Sequence, residues 1–230
     1  VLDGARPCLV TGYGGYGVSQ TPACRPLDRI LLDRGFVLAE ANLRGGGEYG
    51  EEWHRAGNLT RKQNVFDDLI AVLEHMIARG YTRPERLGII GGSNGGLLMG
   101  AVLTQRPDLM RAVVSAVGIY DMLRVELSPN GAFNVTEFGT VKDPEQFRAL
   151  HAYSPYHHVA RGVEYPTVLM LAGANDPRVD PMQSRKMTAA LQAAGGRAPV
   201  LLRTSASTGH GGDTPLDERV EERVDIYRFL

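Results

Sequence analysis

The chain has 230 residues, 43% of them hydrophobic and 22% charged, which suits one soluble α/β domain with a substantial core. A formal net charge of −1 leaves no electrostatic footprint for nucleic acid or an anionic membrane, and no apolar run approaches the roughly 20 residues that cross a bilayer. The two cysteines, Cys8 and Cys24, make neither a disulfide framework nor a metal-ligand spacing, so both are expected as free thiols, Cys8 within a buried strand.

The chain starts at Val1, enters an apolar strand within a few residues and shows no secretory signal pattern. It reads as a piece of a longer polypeptide, and its compartment, cytoplasm or periplasm, stays open. Pro7 to Val10 forms the first short strand and runs into the glycine-rich stretch Gly12-Tyr13-Gly14-Gly15-Tyr16-Gly17. A helix over Leu27 to Arg34 stops at Gly35, a C′ position that favours glycine. Phe36 to Ala41 is the next strand, Gly45-Gly46-Gly47 breaks the chain, and a short amphipathic piece follows at Glu51 to Arg55. Asn64 is placed to cap a helix, with Asp67 and Asp68 in its first turn. Val65, Leu69, Val72, Leu73, Met76 and Ile77 then recur at helical spacing up to Gly80.

The short apolar run Leu87-Gly88-Ile89-Ile90 leads into Gly91-Gly92-Ser93-Asn94-Gly95-Gly96, and a second, longer apolar run begins at Leu97. Strand, glycine-flanked serine and buried helix in that order form the context of the G-x-S-x-G nucleophile elbow. A glycine-rich βα loop with an incidental serine is the plainer reading of the hexapeptide alone. Ala112 to Ala116 is a further strand. Residues 119–165 lose clear periodicity, and a stretch this long inside a compact domain is expected to be functional. Thr167 to Leu171 is a strand, Asp180 and Pro181 open a helix that closes at Gly195, Pro199 to Leu202 is the last strand, and a terminal helix from Leu216 to Leu230 carries Val220, Val224 and Tyr227. Strands alternating with helices throughout predict one domain, residues 1–230, built on a mostly parallel sheet with helices on both faces.

An open α/β sheet holds its site at the carboxyl ends of its strands. Two loops after late strands carry the needed chemistry: Gly173-Ala174-Asn175-Asp176-Pro177-Arg178 and Thr208-Gly209-His210-Gly211-Gly212. The order Ser93, Asp176, His210 is the one α/β-hydrolases use. Asp176 before Pro177 also fits plain turn chemistry, and the competing acid Asp180 is better explained as a helix cap. His54, His75, His151, His157 and His158 lack a strand-end position, and the His157-His158 pair has no further metal ligands at suitable spacing. In this reading Ser93 is the nucleophile, His210 its general base and Asp176 the group that orients the imidazole. The Asn94 backbone N–H supplies one oxyanion donor and the loop Gly12 to Gly17 the other. That loop also matches the G-x-G-x-x-G dinucleotide fingerprint, but Pro22 and Pro26 follow where a helix would have to open.

Together these stretches resemble the peptidase domain of the prolyl oligopeptidase family of serine peptidases. The match includes Gly12-Tyr13-Gly14-Gly15-Tyr16, Ala41-Asn42-Leu43-Arg44-Gly45-Gly46-Gly47-Glu48-Tyr49-Gly50, the elbow hexapeptide, Gln105-Arg106-Pro107-Asp108-Leu109, Tyr153-Ser154-Pro155 and Gly209-His210-Gly211. The resemblance implies an α/β-hydrolase fold without cofactor or metal, acting on short peptides through an acyl-enzyme. It implies that the Tyr13 hydroxyl completes the oxyanion hole and that Arg178 binds a substrate carbonyl on the acyl side. Tyr16, Ile119 and Phe138 occupy positions that line the specificity pocket. Proline-specific members carry a tryptophan where this chain has Asn134, and its only tryptophan is Trp53. Glu126 and Glu137 lie near that position, where trypsin-like relatives use acidic residues. The family's β-propeller and first hydrolase strands have no counterpart here, which predicts an uncovered sheet edge and apolar surface. An esterase or aminopeptidase-like activity on the same fold, or a silent peptide-binding fragment, remain the alternatives.

Overall fold

The computed structural model describes residues 2–23, 25–211 and 214–230, so Cys24 and Gly212 lie outside the described residues. Six strands form its sheet: β1 (Cys8–Gly12), β2 (Val37–Ala41), β3 (Leu87–Gly92), β4 (Ala112–Ala116), β5 (Thr167–Gly173) and β6 (Val200–Ser205). Their order is β2-β1-β3-β4-β5-β6 and every pairing is parallel. The short Val-, Ile- and Leu-rich runs suit this arrangement, because a parallel sheet is buried on both faces.

Successive residues point to opposite faces of the sheet. Ile89, Val113, Val168 and Met170 enter the main core, whereas Val114, Leu169 and Leu171 join a smaller cluster on the other side. The main core is closed by α3 (Gln63–Ala78), α4 (Asn94–Gln105) and α7 (Met182–Ala194), through Leu69, Leu73, Leu98, Val102, Met187 and Leu191. Helix α4 is buried from Asn94 to Leu103, as expected of a helix that is apolar all round. The opposite face carries α1 (Asp28–Leu32) and α8 (Leu216–Phe229). Of the α8 residues only Ile226 is buried, while Val220 and Val224 are exposed. A cavity of about 530 Å³ lies between these two helices, floored by Leu9, Ile90 and Val114 and holding neither Ser93 nor His210.

Gly96 allows α4 to lie against the turn after β4: a Cβ there would stand 2.5 Å from Gly118 Cα and 3.1 Å from Ala116 O. Both neighbours are backbone and cannot swing away. Gly96→Ala is expected to destabilise by about 1–3 kcal/mol through overpacking. Thermal denaturation should show this as a Tm lower by roughly 2–10 °C.

Two expectations need correction. Asn64 is not the cap of α3; it lies inside the helix, and its Nδ2 donates to Ala56 O at 2.8 Å. Residues 119–165 are not without regular structure, since they hold α5 (Gly131–Phe138) and α6 (Pro144–Tyr153). Helix α5 is only 8 residues long, too short to display a period. Helix α6 had a legible start, because the Asp143 side chain accepts from the Glu145 and Gln146 N–H groups, both at 2.9 Å, with Pro144 in the first turn. Helix α7 begins at Met182 with Pro181 at its cap position, one residue later than expected, although Asp180 Oδ1 still accepts from Met182 N–H at 2.9 Å, and Gly195 closes the helix in the left-handed conformation. No helix opens at Gly12 to Gly17, and α1 begins at Asp28. The dinucleotide geometry is therefore missing. The short helix α2 spans Glu51–Arg55, as the sequence predicts.

Candidate active site

After β1 the chain forms β2 on one side, then returns to build β3 and its successors on the other. Such a reversal opens a crevice at the carboxyl ends of the strands. The loops leaving β1, β3, β5 and β6 carry Tyr13, Ser93, Asp176 and His210 to that end.

Ser93 sits between the last residue of β3 and the first of α4 with φ 59° and ψ −120°. Such a backbone costs a non-glycine residue on the order of 1–3 kcal/mol. The surroundings hold it there. Ser93 N–H donates to Ala116 O at 2.9 Å, and Ser93 O accepts from the Gly96 and Leu97 N–H groups. Gly91 must lack a Cβ, which would stand 2.5 Å from Gly95 O. The turn projects Ser93 Oγ toward His210, whose Nε2 lies 2.9 Å away. His210 Nδ1 lies 2.6 Å from Asp176 Oδ2. An ionised carboxylate only accepts, so Nδ1 carries the proton and Nε2 is free to accept from Ser93.

The Asp176 side chain is 1% exposed. Desolvation pushes its carboxyl up, but hydrogen bonds from His210 and from the Val179 and Arg178 N–H groups outweigh this and hold it below its ordinary value. Asp176 Oδ1 accepts from those two N–H groups at 2.9 and 2.8 Å. Asp176 therefore stays charged at neutral pH.

The elbow and the loop after β1 are joined directly. Asn94 Nδ2 donates to Tyr13 O at 2.6 Å, and the Asn94 backbone N–H stands at the start of α4, where the first N–H groups have no intrahelical acceptor. Burial pushes the Tyr13 phenol above its ordinary pKa, against a hydrogen bond with Ser93 and the charge of Arg178, which lower it. Tyr13 thus keeps its proton and can donate. Tyr13, Ser93, Arg178 and His210 line one cleft of about 380 Å³.

Further along the loop after β1, Tyr16 comes together with Asn134 and Phe138. The Tyr16 hydroxyl donates to Asn134 Oδ1 at 2.8 Å, and its ring meets Phe138 edge-on at 5.7 Å. Asn134 is buried and so presents no flat surface to a substrate. Phe133, whose only sequence signal is an aromatic residue next to Asn134, lies parallel to Tyr16 at 5.5 Å and is 59% exposed. Ile119 is buried in the main core. Glu137 is buried against Lys62 and His54, and Glu126 accepts from Thr140 Oγ1. Glu137 is thus ion-paired with Lys62, whereas Glu126 is held by a neutral hydroxyl alone. His157 and His158 are engaged by Ser154 Oγ and His151 O. Among the described residues no group of three or more His, Cys, Asp or Glu could hold a metal ion. No helix among them is long and apolar enough to cross a membrane.

Residues 26–230 match the model of the prolyl oligopeptidase family. The chain is 40% identical to a prolyl endopeptidase of Dictyostelium discoideum, covering 100% of the chain and 31% of that protein. It is 40% identical to a prolyl endopeptidase of Elizabethkingia meningoseptica, covering 99% of the chain and 32% of that protein. A solved structure from a study of two prolyl endopeptidases superposes with a TM-score of 0.97 at 51% identity, over 100% of this chain and 34% of that one. A post-proline cleaving enzyme from Rickettsia typhi gives 0.96 at 36% identity, over 100% and 33%. The chain thus spans about a third of the length of the relatives it matches. Its six-stranded parallel sheet, its helices and these matches agree on an α/β-hydrolase fold, and the chain belongs to the prolyl oligopeptidase family.

Proposed function

We propose that this chain carries the catalytic centre of a serine oligopeptidase that cleaves short peptides on the carboxyl side of proline. The observation that carries the reading is the hydrogen-bonded chain Ser93 Oγ, His210 imidazole, Asp176 carboxylate. In the first half-reaction Ser93 Oγ bonds to the scissile carbonyl carbon while His210 Nε2 takes its proton. The Asn94 N–H and the Tyr13 hydroxyl receive the oxyanion. Collapse breaks the C–N bond, and His210 returns the proton to the leaving amine. Water then attacks the acyl-enzyme with His210 again as base, releasing the acid and regenerating Ser93. Arg178, in the same cleft, would hold a carbonyl of the acyl-side peptide.

Two observations favour proline over a basic residue. The relatives named above are prolyl or post-proline enzymes, and the buried Glu137 is already ion-paired with Lys62. Tyr16 stacks on the exposed Phe133 and meets the buried Phe138 edge-on, and in the proposal Phe133 supplies the ring face that Asn134 cannot. The relatives are about three times as long as the chain, which leaves room elsewhere in the polypeptide for a β-propeller that limits access to short peptides.

A fluorophosphonate probe should label the natural polypeptide at Ser93, and a glycyl-prolyl amide should be turned over faster than an arginyl amide or a simple ester. A folded sample that takes no label would point to a silent peptide-binding domain. A preference for the ester would point to an esterase.

A further inference from the structure

A fully buried cation near the site is left unused by the reaction as drawn. Lys62 immediately precedes α3 and is 1% exposed. Its Nζ donates to Gly14 O at 3.0 Å and to Glu137 Oε1 at 2.7 Å, and it stands 5.2 Å from the centre of the Phe138 ring. Glu137, on α5, is also buried, and its Oε2 lies 2.9 Å from His54 Nε2 of α2. Burial presses the Lys62 ammonium toward its neutral form and the charge of Glu137 opposes this.

A buried ion pair is weak evidence for stability, because apolar residues of similar volume often serve as well or better. What apolar residues cannot do is donate a directed hydrogen bond to Gly14 O. That carbonyl follows Tyr13, and the carbonyl of Tyr13 itself is held by Asn94 Nδ2. Two successive carbonyls of this loop are thus anchored by side chains from the start of α4 and from the approach to α3. On its far side Lys62 is tied through Glu137 to the helix that carries Phe133, Asn134 and Phe138.

We propose that Lys62, neutralised by Glu137, is a positioning residue that aims the Tyr13 hydroxyl at the reacting carbonyl. The proposal rests on the peptidase reading, through Tyr13. It is tested by the apolar pair Lys62→Met/Glu137→Leu in the natural polypeptide, with Tm as the check on folding. A misaimed oxyanion donor should lower kcat and the fluorophosphonate labelling rate by about tenfold or more, with KM within about threefold. In a Tyr13→Phe background the same pair should change the rate by less than about threefold, because contacting residues that act through one group are not additive.

If the apolar pair does not fold, Lys62→Gln/Glu137→Gln replaces it: the two amides can satisfy each other, and the shorter residue at 62 falls short of Gly14 O. A folded double variant with an unchanged rate would overturn the proposal. So would an equal loss with and without the Tyr13 hydroxyl, which is what a merely structural role predicts. Failure of the unmodified protein to take the probe at all would overturn the peptidase reading itself and the proposal with it.

Discussion

Ser93→Ala is expected to lower turnover of a glycyl-prolyl chromogenic peptide by about 10⁶, the cost of deleting a nucleophile that acts as a unit with its base. His210 Nε2 lies 2.9 Å from Oγ, and with the hydroxyl gone the imidazole can at best activate water. Fluorophosphonate labelling should vanish in parallel. Alanine leaves the backbone at residue 93 as it is, held by Ala116 O and by the Gly96 and Leu97 N–H groups, so Tm should move little. Turnover persisting above about one part in a thousand, with the fold intact by circular dichroism, would remove Ser93 from the role proposed for it.

The second largest effect is expected at Asp176. Asp176→Asn keeps the shape but presents an amide to His210 Nδ1, now 2.6 Å from a carboxylate oxygen. The amide can turn its NH₂ toward the ring and favour the tautomer with the proton on Nε2, which cannot accept from Ser93. A loss of about 10⁴ in kcat follows from the wrong tautomer.

The same residue carries a pH signature. Its carboxyl is held below the ordinary value, so its contribution to stability is present above the unfolded aspartate pKa of about 3.9 and is lost as pH falls through its lower folded value. Asp176→Asn should therefore lower Tm at pH 7 and flatten the fall in Tm on acidification below about pH 4. An equally steep acid transition in wild type and variant would show that the depressed carboxyl contributes nothing to it.

Much of the fold was legible because its signals are local. The apolar runs before Gly12, at Leu87, at Ala112 and at Thr167 became β1, β3, β4 and β5 with ends shifted by two residues or fewer. The helical spacing from Val65 to Ile77 became α3, with Val65, Leu69 and Leu73 buried. Asn64 failed as a cap because the chain was already helical one residue earlier, and its amide had a nearer partner in Ala56 O. The terminal helix was found, but its valines are exposed, since periodicity reports an apolar stripe and not what covers it. Helices α5 and α6 were hidden among Pro, Gly and Asn, although Asp143-Pro144 announced the second of them.

For the site, residue types and chain order were enough to single out Ser93, Asp176 and His210, because an elbow and two strand-end loops are short-range patterns. Distances were not, since His210 is 117 residues from Ser93 and 34 from Asp176 in sequence, and only the parallel sheet brings their loops to one end. The contacts of Lys62, His54 and Phe133 were invisible for the same reason. A lysine among polar neighbours reads as a solvated charge, and it becomes a buried donor only when α5 delivers Glu137 and the loop after β1 delivers Gly14 O. The sequence by itself thus determined the strand-and-helix order and the chemical types at the elbow and its two partner loops, through local sterics and hydrophobic spacing. Tertiary structure alone decided which polar groups lose their water, and with it which charges are neutralised, which carboxyl is depressed and which aromatic face is left open.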